Sequence, residues 1–182
     1  MKDLSLNLLD IAENSVKAGA TLTQLLLTQE AGILTFQVVD DCCGMTEEVL
    51  RSVVDPFYTT RTTRKVGMGL PLLRMAAEQT GGRMTVESRH KDAYPDNHGT
   101  VVTAVFHTDH IDCPPVGDMT ATVTTLIQGH PDTDFYFRHV CDGTEVELDT
   151  RALREILGEV SLAEFEVLQW ITGYLTDQYN GQ

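Results

Sequence analysis

Apolar and polar positions follow two different periods along the chain, and each change of period marks a new secondary-structure element. A spacing of three and four residues predicts a helix, and a spacing of two predicts a strand. Up to residue 109 the pattern predicts helix, strand, strand, helix, helix, strand and strand, at residues 4–18, 22–28, 33–40, 46–54, 70–80, 83–88 and 99–106. This order predicts an α+β sandwich in which helices lie on one face of a sheet.

The rest of the chain predicts a smaller α+β unit. Two strands, residues 135–140 and 145–148, flank an Asp142-Gly143 pair that is typical of a hairpin turn. Helices are predicted at residues 118–128, 150–157 and 161–179. The last of them is expected to begin at Ser161, which opens a capping-box sequence.

Charge is unevenly distributed between these two parts. Residues 1–109 carry 10 basic and 14 acidic side chains, whereas residues 110–182 carry 3 basic and 13 acidic ones. The segment Cys113-Pro114-Pro115 lies at this change and cannot continue a helix. We therefore predict two domains, 1–109 and 110–182. The second is an acidic extension that serves either as a partner-binding or regulatory module or as an ordinary structural extension.

The overall composition argues against several functional classes. A net charge of -14 opposes binding to nucleic acid, because phosphate backbones require basic surfaces. The sequence contains no apolar run of about 18 residues and no recognisable secretion signal. We therefore expect a cytoplasmic protein without a nucleic-acid or membrane partner. The 4 cysteines form no Cys-x-x-Cys pair and are expected to be reduced thiols.

Three polar residues of the first predicted helix share one narrow stripe. Asp10, Asn14 and Lys17 are spaced at i, i+4 and i+7. A carboxylate, an amide oxygen and an ammonium group on one stripe suit hydrated Mg²⁺ and phosphate. By spacing alone, an exposed polar helix face fits equally well.

A second cluster follows the second strand. Asp40 and Asp41 stand where the apolar strand ends, and Gly44 and Met45 follow them. A carboxylate in this position can accept a hydrogen bond from an exocyclic amine such as that of adenine, and a glycine permits close approach of the backbone. A plain acidic turn is the alternative.

A third cluster places glycines directly before a helix. Gly67 and Gly69 precede Leu70, and Arg61 and Lys65 lie just upstream. Free N–H groups at a helix N-terminus form an anion site, although a structural turn gives the same short pattern.

Taken in order, these three clusters and two further segments, residues 55–61 and 99–100, resemble the motifs of the GHKL superfamily, which unites gyrase, Hsp90, histidine kinases and mismatch-repair ATPases. The segments resemble the N box, the first glycine box, the histidine-kinase F box, the second glycine box and the last glycine box, at residues 8–21, 39–45, 55–61, 67–70 and 99–100. These motifs cover about residues 4–107.

The resemblance implies a Bergerat-type fold, a two-layer sandwich of a mixed sheet with helices on one face. It also implies that ATP and Mg²⁺ bind beneath a lid formed by residues 55–66. Asp40 would bind the adenine amine, Asn14 would ligate Mg²⁺ and Lys17 would meet phosphate. The other ATP-binding residues implied are Gly44, Met45, Arg61, Lys65, Gly67, Gly69, Leu70 and Thr100.

Asp10 is the catalytic residue that the resemblance implies. In the hydrolysing branches of the superfamily its equivalent is a glutamate that acts on the attacking water, and in histidine kinases it is commonly an asparagine. Aspartate is one methylene shorter than glutamate, and a misplacement of about 1 Å costs about 100-fold in rate. We therefore expect weak hydrolysis, with Asp10 as the base or the water-orienting group.

The sequence departs from the superfamily pattern in three places. Cys42 replaces the first glycine of the first glycine box, and Lys65 replaces the glycine that usually opens the second. No phosphoacceptor-histidine helix is expected before the N box.

Two functions fit this reading. The first is an ATP- and Mg²⁺-binding regulatory ATPase or kinase-like phosphotransferase that acts on a separate protein, as the anti-sigma-factor serine kinases do. The alternative is a non-hydrolysing, nucleotide-dependent protein-binding switch. A DNA-repair ATPase is disfavoured by the charge. A protein partner is expected, either a redox enzyme, such as an iron hydrogenase, or a response regulator. A homodimer is also possible.

Overall fold

The computed structural model describes residues 3–54 and 69–181 of the chain. The strands are β1 (Leu22–Glu30), β2 (Ile33–Asp40), β3 (Arg83–Arg89), β4 (Gly99–His107), β5 (Asp134–Cys141) and β6 (Thr144–Asp149). The helices are α1 (Leu4–Lys17), α2 (Glu47–Val54), α3 (Gly69–Gln79), α4 (Met119–Gly129), α5 (Thr150–Leu157) and α6 (Phe165–Asn180).

The strands form one six-stranded sheet in the order β3-β4-β2-β1-β5-β6. The β1–β5 pair is parallel and the other pairs are antiparallel. One row of apolar side chains crosses all six strands in register, formed by Val86, Val102, Val38, Leu25, Phe137 and Leu148. Since β5 and β6 come from residues 110–182, the two parts of the chain share one sheet. The domain division after residue 109 stays a prediction.

Two of the β-hairpins close through turns of two residues. Ala31 and Gly32 join β1 to β2, and Asp142 and Gly143 join β5 to β6. All four have positive φ, at 49°, 77°, 46° and 90°. This combination gives the turn whose twist matches that of paired strands, so the Asp-Gly prediction is confirmed.

The helices cover one face of the sheet. Helix α1 packs between α3 and α4, and α4 packs in turn against α6. Along the central strands every second residue is buried on the covered face, as in β2 and β4. The predicted sandwich, with helices on one face of a mixed sheet, is confirmed. Among the described residues, no helix is long and apolar enough to cross a membrane.

The start of α6 differs from the prediction. The helix begins at Phe165 rather than at Ser161. Leu162, which lies in the turn before the helix, is buried in the core at 1% exposure. Its burial fixes this turn, so the helix starts after it. Ser161 Oγ accepts a hydrogen bond from Ala163 N, 3.1 Å away, and therefore stabilises that turn instead of the helix.

Candidate functional site

A cavity of about 200 Å³ opens where α1 passes the ends of β2 and β4. Most of its wall is apolar, and three of its polar residues, Ser15, Asp40 and Thr100, are joined by hydrogen bonds in a group that we call its polar end. It is lined by Ile11, Asn14, Ser15, Ala18, Asp40, Cys42, Gly44, Met45, Val53, Leu70, Thr100 and Val102. An apolar cavity with a few convergent polar groups is the usual form of a small-molecule site.

Asp40 supplies the carboxylate at the polar end of this cavity. Its Oδ1 accepts hydrogen bonds from Cys42 N and Thr100 N, both at 3.1 Å. Its Oδ2 accepts one from Ser15 Oγ at 2.5 Å. Three donors from three parts of the chain thus fix the carboxylate. A carboxylate has about four acceptor positions, so one position on Oδ2 remains for a ligand.

Asp41 has a different role from its neighbour. Its Oδ1 accepts from Thr21 N at 2.7 Å and from Leu22 N at 3.0 Å, and its Oδ2 accepts from the Thr21 hydroxyl. Partial burial opposes ionisation, but these hydrogen bonds outweigh it and lower the pKa of Asp41. Asp41 therefore ties the start of β1 to the end of β2, and it does not line the cavity.

Two glycines allow the backbone to close around the polar end. Gly44 has φ +69°, and a Cβ placed on it would lie 1.9 Å from Arg89 O. Gly99 has φ +140°, and a Cβ there would lie 2.0 Å from Asp40 O. Neither position accepts a side chain without moving the backbone.

Hydroxyl groups connect the two sides of the polar end. Met45 N donates to Ser88 Oγ at 2.8 Å, and Ser88 Oγ also lies 2.8 Å from Thr100 Oγ1. Thr100 Oγ1 is 3.6 Å from Cys42 Sγ. This chain of contacts links the loop after β2 with β3 and β4, so it sets the shape of the cavity.

The three residues of the α1 stripe differ in their positions. Asn14 lines the cavity, whereas Asp10 is exposed one turn earlier. A Cβ built on Gly69 would lie 3.6 Å from the Cβ of Asp10, so Asp10 faces the start of α3. Lys17 lies outside the cavity lining and forms an ion pair with Glu13 at 3.8 Å.

Glu13 also connects α1 to the second part of the chain. Its Oε1 lies 2.7 Å from Nε2 of His130, the residue that caps the C-terminus of α4. The helix that carries Asp10 and Asn14 is therefore tied directly to α4.

The structure brings together most of the predicted site residues that it describes. Asn14, Asp40, Gly44, Met45, Leu70 and Thr100 all line the cavity. Gly69 begins α3 beside Asp10. Predicted residues Arg61, Lys65 and Gly67 lie outside the described residues, as does the predicted lid segment 55–66.

The sequence reasoning did not assign site roles to Ser15 and Ser88. Ser15 follows Asn14 directly and is a polar residue on the otherwise apolar stripe of α1. A hydroxyl in an apolar stripe needs a buried partner, and that partner is Asp40. Ser88 gave no comparable signal.

The sequence profile of the histidine kinase-, DNA gyrase B- and HSP90-like ATPases matches residues 2–110. The chain belongs to this ATPase family. The match covers every motif on which the predicted resemblance rested, and it includes the whole lining of the cavity.

Curated relatives of this ATPase-family chain include two bacterial sensor proteins. The tetrathionate sensor histidine kinase TtrS of Salmonella typhimurium is 33% identical over 99 residues, which are 54% of this chain and 16% of TtrS. The sensor protein KdpD of Clostridium acetobutylicum is 26% identical over 89 residues, 46% of this chain and 10% of KdpD. The chain therefore matches less than a fifth of the length of either relative.

A solved structure extends the likeness in fold beyond the family match. The N-terminal domain of a DNA repair protein superposes with a TM-score of 0.57 at 16% identity, covering 82% of this chain and 53% of that one. Because 82% of 182 residues is about 149, the superposition must include part of residues 111–182. At this identity the likeness concerns the fold alone.

Proposed function

We propose that this ATPase-family chain binds ATP with Mg²⁺ and places the adenine base in the cavity beside Asp40. The observation that carries the proposal is the Asp40 carboxylate, which is fixed by three donors and keeps one acceptor position at the polar end of an apolar cavity. The exocyclic amine of adenine is a donor that suits this position, and the apolar wall suits the faces of its ring.

Asn14 is suited to hold the metal ion. Its side chain lies on the cavity lining, and an amide oxygen is a hard ligand of the kind that Mg²⁺ prefers. Mg²⁺ commonly binds through one or two protein oxygens together with waters and substrate phosphates. Mg²⁺ would neutralise phosphate charge, and Asn14 would fix the position of the metal ion relative to the base.

We further propose that Asp10 orients or deprotonates the attacking water in a slow hydrolysis of ATP. Asp10 is exposed on the same stripe of α1 as Asn14 and faces Gly69 at the start of α3. Arg61, Lys65 and Gly67 are proposed to contact the phosphates together with Gly69 and Lys17. For Lys17 this requires release from its ion pair with Glu13.

We infer that a separate protein receives either the phosphate or the nucleotide-dependent signal. The sensor proteins among the relatives support this inference, and the acidic surface of residues 110–182 offers a place for a partner. A switch without hydrolysis is the second form of the proposal. It is supported by the short side chain of Asp10.

Calorimetry with ADP, with and without Mg²⁺, tests the binding proposal. Asp40→Asn retains the shape of the side chain but presents an N–H group to the adenine amine, so binding should be lost. Asp41→Asn is the matched control and should bind ADP as the wild type does. Equal affinity in Asp40→Asn and the wild type would overturn the assignment of Asp40.

Two further variants separate the metal and water roles. Asn14→Ala should abolish the strengthening of ADP binding by Mg²⁺ and leave metal-free binding largely intact. Asp10→Asn should bind ATP but release no labelled phosphate, whereas Asp10→Glu should release it faster than the wild type. Unchanged turnover in Asp10→Asn would exclude Asp10 as the base, and no turnover in the wild type or Asp10→Glu would favour the non-hydrolysing switch.

A further inference from the structure

Helix α6 carries two stripes of side chains, one buried and one exposed. The buried stripe is Leu168, Ile171 and Leu175. At about 100° per residue, the exposed stripe is centred roughly 140° away from the buried one. We call it the α6 outer stripe, and its members are Glu166, Trp170, Tyr174 and Asp177. The proposed nucleotide site uses none of them.

Two large aromatic rings form the centre of the α6 outer stripe. Trp170 is 51% exposed and Tyr174 is 41% exposed. Their ring centroids are 4.8 Å apart and the ring planes differ by 12°, so the rings are stacked. Stacking orders both side chains before a partner binds, which lowers the entropic cost of binding. Because tryptophan and tyrosine are enriched among the residues that dominate interface energies, this pair is suited to contact a protein.

The α6 outer stripe also carries negative charge without a cation of its own. Glu166 stands four residues before Trp170 and Asp177 stands three residues after Tyr174, which are the spacings of neighbouring side chains on a helix. Among the described residues, no ion pair includes Glu166 or Asp177. Residues 155–182 contain no Lys, Arg or His. The stripe therefore presents two unpaired carboxylates beside two exposed rings.

The arginines in the second part of the chain are already paired with acidic side chains. Residues 110–182 contain 3 basic residues, and each of them is an arginine that forms an ion pair within this part. The pairs are Arg138–Glu145 at 2.6 Å, Arg151–Asp149 at 2.8 Å and Arg154–Asp134 at 2.7 Å. None of these arginines is left to neutralise the α6 outer stripe, so the complementary charge is expected from another molecule.

We propose that the α6 outer stripe is a docking surface for a basic amphipathic segment of a partner protein. Arg or Lys side chains of this segment lie over the rings of Trp170 and Tyr174 and pair with Glu166 and Asp177. The face of an aromatic ring attracts a cation, and a neighbouring carboxylate adds to the attraction. The inference rests on the proposed signalling to a separate protein, and it names the surface and the chemistry of that partner.

The charge of the α6 outer stripe disfavours other occupants. In a symmetric dimer formed through this stripe, identical patches face each other. The carboxylates of one copy would then approach those of the other without a cation between them, which is unfavourable. Nucleic acid and anionic membranes are repelled for the same reason.

A synthetic peptide serves as the probe. It has about 14 residues, Arg and Leu at helical spacing without any aromatic residue, and a second peptide carries Glu in place of Arg. Trp170 is the only tryptophan of the chain, so tryptophan fluorescence reports contact at the stripe itself. We expect the basic peptide to shift the emission to shorter wavelength until the site is saturated, because the ring leaves water. The acidic peptide should cause no shift.

Aromatic variants test the contribution of the rings through the fluorescence anisotropy of a labelled basic peptide. Trp170→Ala should bind this peptide at least about 10-fold more weakly than the wild type. Phe165→Ala is the matched control, because Phe165 is an aromatic residue of α6 that is 70% exposed and lies outside the stripe. This variant should stay within about twofold of the wild-type affinity.

Charge variants separate docking from general attraction. The protein has a net charge of -14, so any basic peptide is attracted to it. Glu166→Gln/Asp177→Asn should bind the peptide about 5- to 10-fold more weakly, since two exposed ion pairs are lost. The control Glu48→Gln/Glu87→Gln removes the same charge from exposed positions on α2 and β3 and should change the affinity less than about twofold.

Several outcomes would overturn the inference. These are no binding of the basic peptide, binding that leaves the emission of Trp170 unchanged, or an equal loss of affinity in the two double variants. A dimer in sedimentation that Trp170→Ala disrupts would also overturn it, because the occupant would then be a second copy. Peptide binding is measured without nucleotide, so a protein that binds ADP but not the peptide keeps the proposed nucleotide site and loses only the docking surface.

Discussion

Removing the Asp41 side chain should destabilise the fold without affecting the nucleotide site. Asp41 accepts hydrogen bonds from Thr21 N, Leu22 N and the Thr21 hydroxyl, and the first two lie at 2.7 and 3.0 Å. Asp41→Ala leaves these donors without their charged acceptor. In Asp41→Asn an amide oxygen can still accept from both backbone groups, so this variant removes the charge and keeps the shape.

The expected size follows from these contacts. A hydrogen bond to a charged group contributes about 1.5–3 kcal/mol, and water replaces part of this at an exposed site. Because only the Leu22 bond is partly buried, we expect Asp41→Ala to lower the free energy of unfolding by about 2–4 kcal/mol. At roughly 2–4 °C per kcal/mol for a chain of this size, the melting temperature should fall by about 4–16 °C. Asp41→Asn should lower the free energy of unfolding by about 1 kcal/mol.

The effect should also depend on pH with a defined sign. Hydrogen bonding lowers the pKa of Asp41 in the folded protein, even though burial opposes this. The unfolded chain then binds a proton more readily than the folded protein, so acid favours unfolding. The contribution of Asp41 is fully present above the unfolded pKa of about 3.9 and is lost as the pH falls through the lower folded pKa.

Urea unfolding at pH 7 and at pH 3, together with ADP calorimetry at pH 7, provides the assay. The difference in stability between the wild type and Asp41→Asn should be larger at pH 7 than at pH 3. The ADP affinity of both Asp41 variants should stay within about twofold of the wild-type affinity. The reasoning is refuted if Asp41→Ala is as stable as the wild type, or if it folds normally and loses ADP binding.

Two further predictions concern backbone geometry and a buried histidine. Gly44→Ala should unfold the site and abolish ADP binding in calorimetry, because its Cβ would lie 1.9 Å from Arg89 O. Gly32→Ala is the control, since Gly32 has φ +77° but open space around it. This variant should lower the free energy of unfolding in urea by only about 1 kcal/mol and leave ADP binding unchanged. His139 is 7% exposed with its Nδ1 2.9 Å from Tyr179 Oη, and burial lowers its pKa. The unfolded chain therefore takes up the proton more readily, and stability should fall as the pH drops below about 6.5. His139→Phe should flatten the stability profile between about pH 7 and pH 5, and an unchanged profile would exclude His139 as its source.

Periodicity was sufficient to predict the architecture, because each element has one buried face. The alternation in β2 and β4 and the helical stripe of α1 reappear as the buried faces of the structure. Periodicity could not predict that β5 lies beside β1 in parallel, since strand pairing between distant segments depends on packing across the whole sheet. The start of α6 was missed for a related reason, because burial of Leu162 overrides the local capping sequence.

The candidate site shows the same limit at the level of single residues. Motif order predicted Asp40 as a ligand residue, and the structure places Asp40 on the cavity lining. Spacing could not show that Asp41 accepts hydrogen bonds from Thr21 and Leu22 at the start of β1, since Asp40 and Asp41 both stand at the end of β2. The contacts of Ser15 and Ser88 come from elements distant in sequence, and only the folded chain brings them together.

The central claim is that the cavity beside Asp40 holds the nucleotide base. A crystal structure of the protein with ADP and Mg²⁺ tests it most directly. The account predicts the exocyclic amine of adenine at about 3 Å from Asp40 Oδ2, on the acceptor position that Ser15 leaves open. A base bound outside the cavity, or inside it with the amine directed away from Asp40, would contradict the account.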